Sequence, residues 1–252
     1  MATKGLVALI AVGIVVAAAV SIAVFAMPYI SGSNSRIDAT RATTTTTNRP
    51  VDDNTVKDML VKLTMPSTKN APALGKDTAK VTLVEFGDYQ CTFCHRWHEE
   101  TKNMLINNYV NTGKVKFLFK DFPINDLSDK ASSLAAEASY CAADQDKYWD
   151  YHDILYKNWK GENTGWVTKE SLEKFAQAVS IADMSNFSKC LSSEKYAGVV
   201  KGNYDLATSI GLDATPSFII LANGESPKLI KGAYPYSTFE GVINDMYENS
   251  HN

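Results

Sequence analysis

The longest unbroken pattern in the chain lies at its start. From Leu6 to Met27 no residue carries a charge, and Ser21 is the most polar side chain in the run. A hydrocarbon core about 30 Å thick needs roughly 20 helical residues, so this run is long enough to cross a bilayer. The apolar region of a cleavable signal peptide is shorter, about 7–15 residues. Length therefore favours an uncleaved transmembrane helix over 1–28, with cleavage after Ala26 as the alternative. The pattern then disappears. From Ser31 the chain is dominated by Ser, Thr, Asn and Arg, including the run Thr43 to Thr47. Such a stretch cannot bury enough apolar surface to offset the entropy of ordering it, and residues 29–70 are read as a flexible linker.

Periodicity returns in 71–252. Val81 to Phe86 is a short apolar, β-branched run that fits a buried strand, and Gly87-Asp88 breaks it. The segment from Cys91 to Asn108 has helical character, with Phe93, Trp97, Met104 and Leu105 as its apolar contacts. After Gly113, Val115 to Phe119 reads as a second strand, closed by Pro123. Strand, helix, strand is a βαβ unit, which implies parallel strands. From about 126 to 211 the stepping is helical throughout. Leu127, Ala131, Leu134, Ala138 and Cys141 share one face; Tyr148, His152, Leu155 and Trp159 share another; Leu172, Phe175, Ala176 and Val179 a third. A further helix is expected from Glu194 to Ile210. Strand character resumes at Ser217 to Leu221 and Lys228 to Lys231, which flank the hairpin signal Asn223-Gly224. A final amphipathic helix is expected from Ser237 to Tyr247. The order is βαβ, a helical insertion, then ββα: an α/β, thioredoxin-like fold in which helices flank a central sheet.

Composition changes this picture little. Of the 252 residues 45% are hydrophobic and 21% charged, enough for one sizeable core, and the net charge of −3 gives no basic footprint for nucleic acid. Lys4 on one side of the apolar run and Arg36 and Arg41 on the other give no clear orientation.

The cysteines carry the chemistry. Cys91-Thr92-Phe93-Cys94 sits where a strand passes into a helix. That spacing brings both sulfurs to the first helical turn, where unpaired N–H groups and the helix dipole favour a thiolate on Cys91. Cys94, one turn in, is then the buried resolving thiol. Three other chemistries fit the motif alone: a zinc site using His95 and His98, a static disulfide, and c-type haem attachment, since Cys91 to His95 spells C-x-x-C-H. Glu85 is an acid inside an apolar strand; burial should raise its pKa, unless Lys120 pairs with it. His95 and His98 read as helix-surface residues. Thr215-Pro216 taken alone is an ordinary turn, since only about 5–6% of X–Pro bonds are cis. All four cysteines follow the apolar run. Two pairs favour a Cys141–Cys190 disulfide within the helical insertion, against the alternative of two free buried thiols. A stable bridge there implies an oxidising compartment, and hence a single-pass, membrane-anchored protein with its catalytic domain on the extracytoplasmic side.

From about Ala71 to its end the sequence resembles the DsbA-like thiol–disulfide oxidoreductase family. The resemblance is carried by Val84 to Cys94, Trp97 to Glu100, Phe119 to Pro123, Cys141 to Gln145 with Tyr148, Trp149 and His152, and Gly211 to Phe218. It implies a thioredoxin fold with an inserted helical domain, no metal and no cofactor. Cys91 would be the attacking thiol and Cys94 its partner in a redox disulfide. Thr215-Pro216 would be a cis-proline loop that pairs with extended substrate, and Glu85 would assist proton transfer at the resolving cysteine. Substrates would be unfolded or thiol-containing proteins, in which the enzyme forms disulfides, and a quinone-linked thiol oxidase of the membrane would regenerate it. The family's best-known members carry Pro-His between the cysteines; Thr92-Phe93 supplies no such charge, which keeps a reductase or isomerase in view. A non-catalytic peptide-binding module and a c-type haem electron-transfer protein are the readings from other classes.

Overall fold

The computed structural model describes residues 53–250. The apolar run at Leu6 to Met27 and most of the expected linker lie outside them. Among the described residues no helix is long and apolar enough to cross a membrane.

A four-stranded sheet in the order β2-β1-β3-β4 forms the centre. β1 (Val81–Gly87) is so rich in β-branched and apolar residues that both of its faces are buried. It runs parallel to β2 (Val115–Asp121) and antiparallel to β3 (Ser217–Ala222), and β4 (Lys228–Lys231) pairs antiparallel with β3. Gly224, at φ 80°, supplies the left-handed residue that the β3–β4 turn requires.

Alternation along β1 divides the core. Val81 and Leu83 face Trp97, Leu105, Phe218 and Phe239, beneath the helical segment after the cysteines and the C-terminal helix α9 (Tyr236–Asn249). Val84 and Phe86 face Leu118, Leu206 and Leu63, beneath α8 (Ala197–Ser209) and α1 (Asp53–Thr64). Helix α1 corrects the linker boundary. Residues 53–70 belong to the folded unit, because Leu63 is buried against the sheet and Lys120 donates to the Met65 carbonyl at 3.0 Å.

The segment after Cys91 is not one regular helix. α2 (Thr92–Trp97) passes into a π-helical stretch (His98–Lys102), a single turn α3 (Asn103–Leu105) and a second π-helical stretch (Ile106–Val110). Hydrophobic stepping does not distinguish π from α turns over so short a span. The insertion comprises α4 (Ala131–Ala143), α5 (Tyr148–Lys157), α6 (Lys169–Ala178) and α7 (Met184–Ser192), built around its own apolar cluster and leading into α8. Cys141 of α4 and Cys190 of α7 are joined by a disulfide.

Two expectations for the insertion change. Leu127 is exposed and precedes α4, since the Asp126 carboxylate accepts from Ser133 N–H at 3.0 Å and Lys130 takes a left-handed conformation. Trp159 lies beyond the end of α5, in the loop 158–168, and that displacement brings it to the cysteines.

Candidate active site

Cys91 is the residue that caps α2. Its backbone is extended, its N–H donates to the Asp88 carbonyl at 3.0 Å, and its carbonyl accepts from His95 N–H at 3.0 Å. The turn leading to it is held by Asp88, whose carboxylate accepts from Gln90 N–H at 2.8 Å and Asn125 N–H at 2.9 Å. Burial nevertheless raises the Asp88 pKa to about 6. Gly87 is required just before this turn: a Cβ there would lie 2.5 Å from the Phe119 ring and 3.2 Å from Glu85 Oε1.

The two thiols, both reduced here, occupy unequal environments. Cys91 is buried but keeps 4% of its surface exposed; its Sγ is 3.4 Å from the Thr215 carbonyl, which accepts from the neutral thiol. Its thiolate is stabilised chiefly by the Cys94 thiol. Burial opposes ionisation, while the Thr215 side chain and the first-turn N–H groups of Cys94 and Phe93 favour it, and the pKa falls from 9.0 to about 7. Cys94 has no exposed surface. Burial, its hydrogen bond to Cys91 and the charges of Cys91 and Glu85 push it well above 9.0. Asp88 N–H donates to its sulfur at 3.5 Å. One thiol is prepared to ionise near neutrality and the other to hold its proton.

Glu85 projects from β1 on the same face as Val81 and Leu83, below these sulfurs. It is 1% exposed and its Oε2 lacks a hydrogen-bond partner. Burial lifts its pKa to about 8, against the attraction of Lys102. Lys120 is not its partner. In the β1–β2 register Glu85 pairs with Phe119 and Phe86 with Lys120, so the glutamate and that lysine leave opposite faces of the sheet.

The sequence reading missed Lys102, which is 3% exposed and donates to Asp153 on α5, with His98 Nε2 3.4 Å away. His98 is accordingly buried, contrary to its reading as a surface residue, because α5 packs across this side of the π-helical turn. Its Nε2 lies 3.1 Å from Asp153 Oδ1. His152, fully buried and 3.0 Å from the Tyr89 hydroxyl, is held neutral by burial. His98, His152 and Asp153 bring donor atoms within 4.8 Å of one another, but the Lys102 ammonium already supplies the positive charge there. Zinc coordination at the cysteines finds no support from His95 and His98: the first is stacked on Trp159 and the second is turned to Asp153. Haem attachment fits poorly as well. Cys94 is enclosed, and the His95 ring is stacked on Trp159 with centroids 4.5 Å apart.

On the far side of Cys91 the Thr215–Pro216 bond is cis. Beside it lies an open groove of about 490 Å³ lined by Phe93, Arg96, Thr215, Gly232, Ala233 and Tyr234. Phe93 and Tyr234 are half exposed along this groove. On the near side, the loop 158–168 reaches down from the insertion, with Trp159 Nε1 donating to the Gln90 carbonyl at 2.8 Å. Trp159 reads in sequence as one more apolar helix position, and no local pattern signals its contact with the turn before Cys91. Cys91, Cys94, Glu85, Thr215 and Pro216 thus converge on one site, whereas Cys141 and Cys190 staple the insertion.

Comparison with known proteins matches residues 67–245 to the family described as thioredoxin. Disulfide bond formation protein D of Bacillus subtilis is 29% identical, over 71% of this chain and 78% of its own length. The probable disulfide bond formation protein D of Bacillus anthracis is 31% identical, over 62% and 71%. The crystal structure of oxidised BdbD from Bacillus subtilis covers 73% of this chain and 96% of its own at 30% identity, with a TM-score of 0.64. Wolbachia pipientis α-DsbA1 shares the fold at 23% identity, with a TM-score of 0.63 over 75% and 96%.

Proposed function

The chain belongs to the thioredoxin family, among its DsbA-like protein disulfide oxidoreductases, and from that membership we propose that it forms disulfide bonds in thiol-containing protein substrates outside the cytoplasm. The observation that carries this reading is the inequality of the two thiols: Cys91, still 4% exposed, with a pKa of about 7, Cys94 with no exposed surface and well above 9.0.

In the oxidised enzyme a substrate thiolate attacks Cys91 Sγ. The Cys91–Cys94 bond breaks, Cys94 leaves with the electron pair, and the Glu85 carboxyl, about half protonated near pH 8, supplies its proton. A second substrate thiolate then attacks the substrate sulfur of the mixed disulfide. Cys91 leaves as a thiolate, which its environment already favours. The substrate loses two electrons and gains a disulfide; the enzyme gains both electrons as a dithiol. Thr215 and the groove beside it would receive extended substrate, with the Thr215 backbone as the pairing edge.

The Cys141–Cys190 disulfide supports an oxidising compartment. The Leu6 to Met27 run supports a membrane anchor that keeps the domain on the extracytoplasmic side, near a quinone-linked thiol oxidase that accepts its electrons. The same centre run in reverse, as a reductase or isomerase, is favoured by one feature only: Thr92-Phe93 brings no positive charge to the thiolate.

The test is to mix oxidised enzyme with a reduced, unfolded disulfide protein and count thiols, alongside the reduction potential of the pair. Loss of two substrate thiols per enzyme disulfide, with a potential well above that of cytosolic thioredoxin at about −270 mV, is expected. A potential at or below that value would establish the reductase instead.

A further inference from the structure

Cys91 is followed by backbone N–H groups that the first turn of a helix leaves without intrahelical partners. Those of Phe93 and Cys94 favour the Cys91 thiolate. The N–H of Thr92 does not point to free solvent: it donates to Glu162 Oε1 at 2.8 Å. Glu162 belongs to the insertion, far from Cys91 in sequence, and its carboxylate lies against the peptide that immediately follows the attacking sulfur.

That position is built rather than incidental. The residue after Glu162, Asn163, donates its N–H to Gln90 Oε1 at 3.2 Å, and the Gln90 amide donates back to Asn163 Oδ1 at 3.4 Å. Gln90 is anchored in turn to Ser132 Oγ at 3.0 Å. Before Glu162, Trp166 Nε1 donates to the Gly161 carbonyl at 3.0 Å, and Trp159 Nε1 to that of Gln90. Left-handed residues at Gly161, Asn163 and Gly165 fold the loop around these clamps. An exposed glutamate is usually free to move; this one is held on both sides by the residue that precedes Cys91.

We propose that Glu162 is a positioning residue that restrains the Cys91 thiolate: its carboxylate takes the Thr92 N–H and sets a negative charge beside the sulfur, making the disulfide a milder oxidant. The inference deepens the proposed function and rests on Cys91 being the attacking thiol. An oxidant of this type is strong when its reduced form is stabilised through the thiolate. A fixed anion next to that thiolate works the other way.

The other groups around Cys91 are accounted for separately. Cys94 lies on the same helix, Glu85 below on β1, and Tyr156, which is fully buried, on α5. Arg96 donates to the Ala233 carbonyl at 3.4 Å and packs on Phe93, and His95 stacks on Trp159. None of these touches Thr92 N–H.

The experiment titrates the thiolate absorbance of the full-length reduced protein, with Cys91→Ser and Cys94→Ser identifying which sulfur ionises. Glu162→Gln retains an oxygen acceptor but no charge; Glu162→Ala removes both; Glu162→Asp restores the charge. The Cys91 transition is expected to fall by about half a pH unit in both Glu162→Gln and Glu162→Ala, and to return in Glu162→Asp. The shift should shrink as salt is raised, because the carboxylate is exposed. The reduction potential of Glu162→Gln should rise with it. An unchanged transition in Glu162→Gln overturns the inference, whether or not Glu162→Ala shifts, because only the charge distinguishes it from the native side chain. If the low transition instead disappears in Cys94→Ser and survives in Cys91→Ser, the assignment of the attacking thiol has failed and not the role of the loop.

Discussion

Glu85 and Cys91 are both acids removed from bulk water, yet their ionisation moves in opposite directions because only Cys91 is given donors. Glu85 has an oxygen without a partner and is lifted to about 8, whereas Cys91 gathers the Cys94 thiol, the Thr215 side chain and two N–H groups and drops to about 7. The consequences for stability follow from linkage. A carboxyl whose folded pKa is raised holds its proton where the unfolded chain has lost it, so the folded state loses stability as pH rises from about 4.5 to about 8. Glu85→Gln removes that loss. Its stabilisation relative to the native reduced protein should be small at pH 4 and grow towards pH 8, as urea unfolding across that range would measure. A difference independent of pH would mean that folding leaves the Glu85 pKa unshifted. For Cys91 the sign reverses: the reduced protein gains from the thiolate most fully above pH 9, and that gain is lost as pH falls through about 7. Glu85→Gln should also slow the steps that protonate or deprotonate Cys94 about 10²-fold or more. It should leave alkylation of Cys91 by a small reagent nearly unchanged.

Among the elements, the disulfide joining α4 to α7 is the clearest case of a sequence pattern with a mechanical role. It closes a loop with a sequence separation of 49. On the chain-entropy argument such a loop contributes about 4 kcal/mol through the unfolded state, and removal of native bridges generally costs about 2–5 kcal/mol. The variant with both Cys141 and Cys190 replaced by serine should lose stability in that range in denaturant melts while its Cys91 thiolate titration stays in place. Loss of the titration as well would show that α4 and α7 hold the catalytic turn directly. The strands, the hairpin and the last helix were legible because short apolar runs and Asn223-Gly224 speak locally. The π-helical turns at His98–Lys102 and Ile106–Val110 were not, since hydrophobic spacing over five residues does not resolve them. Leu127 and Trp159 continued helical spacing past the real ends of the helices, where Asp126, Lys130 and the loop to Trp166 decide the backbone instead.

At the level of the whole molecule, a thioredoxin-type sheet and an inserted helical unit meet at one pair of sulfurs. The sheet brings Glu85 from below and the cis Thr215–Pro216 loop from one side; the insertion brings Trp159 and Glu162 from the other. Cys91 and Cys94 could be read in sequence because they stand in a short recognisable stretch, whereas Thr215-Pro216, alone an ordinary turn, could be read only through the family resemblance. Lys102, Glu162 and the burial of His98 could not, because each depends on contacts between segments distant in the chain. Such contacts leave no periodic trace. The central claim is that Cys91 is the sulfur that meets substrate. It is tested most directly by trapping: Cys94→Ser is incubated with a disulfide-linked protein substrate, Cys91→Ser is run beside it, and covalent adducts are resolved without reductant. Adducts that form through Cys91 in Cys94→Ser, and are absent in Cys91→Ser, are the predicted result. Adducts that form equally well through Cys94 when Cys91 is gone would contradict the account.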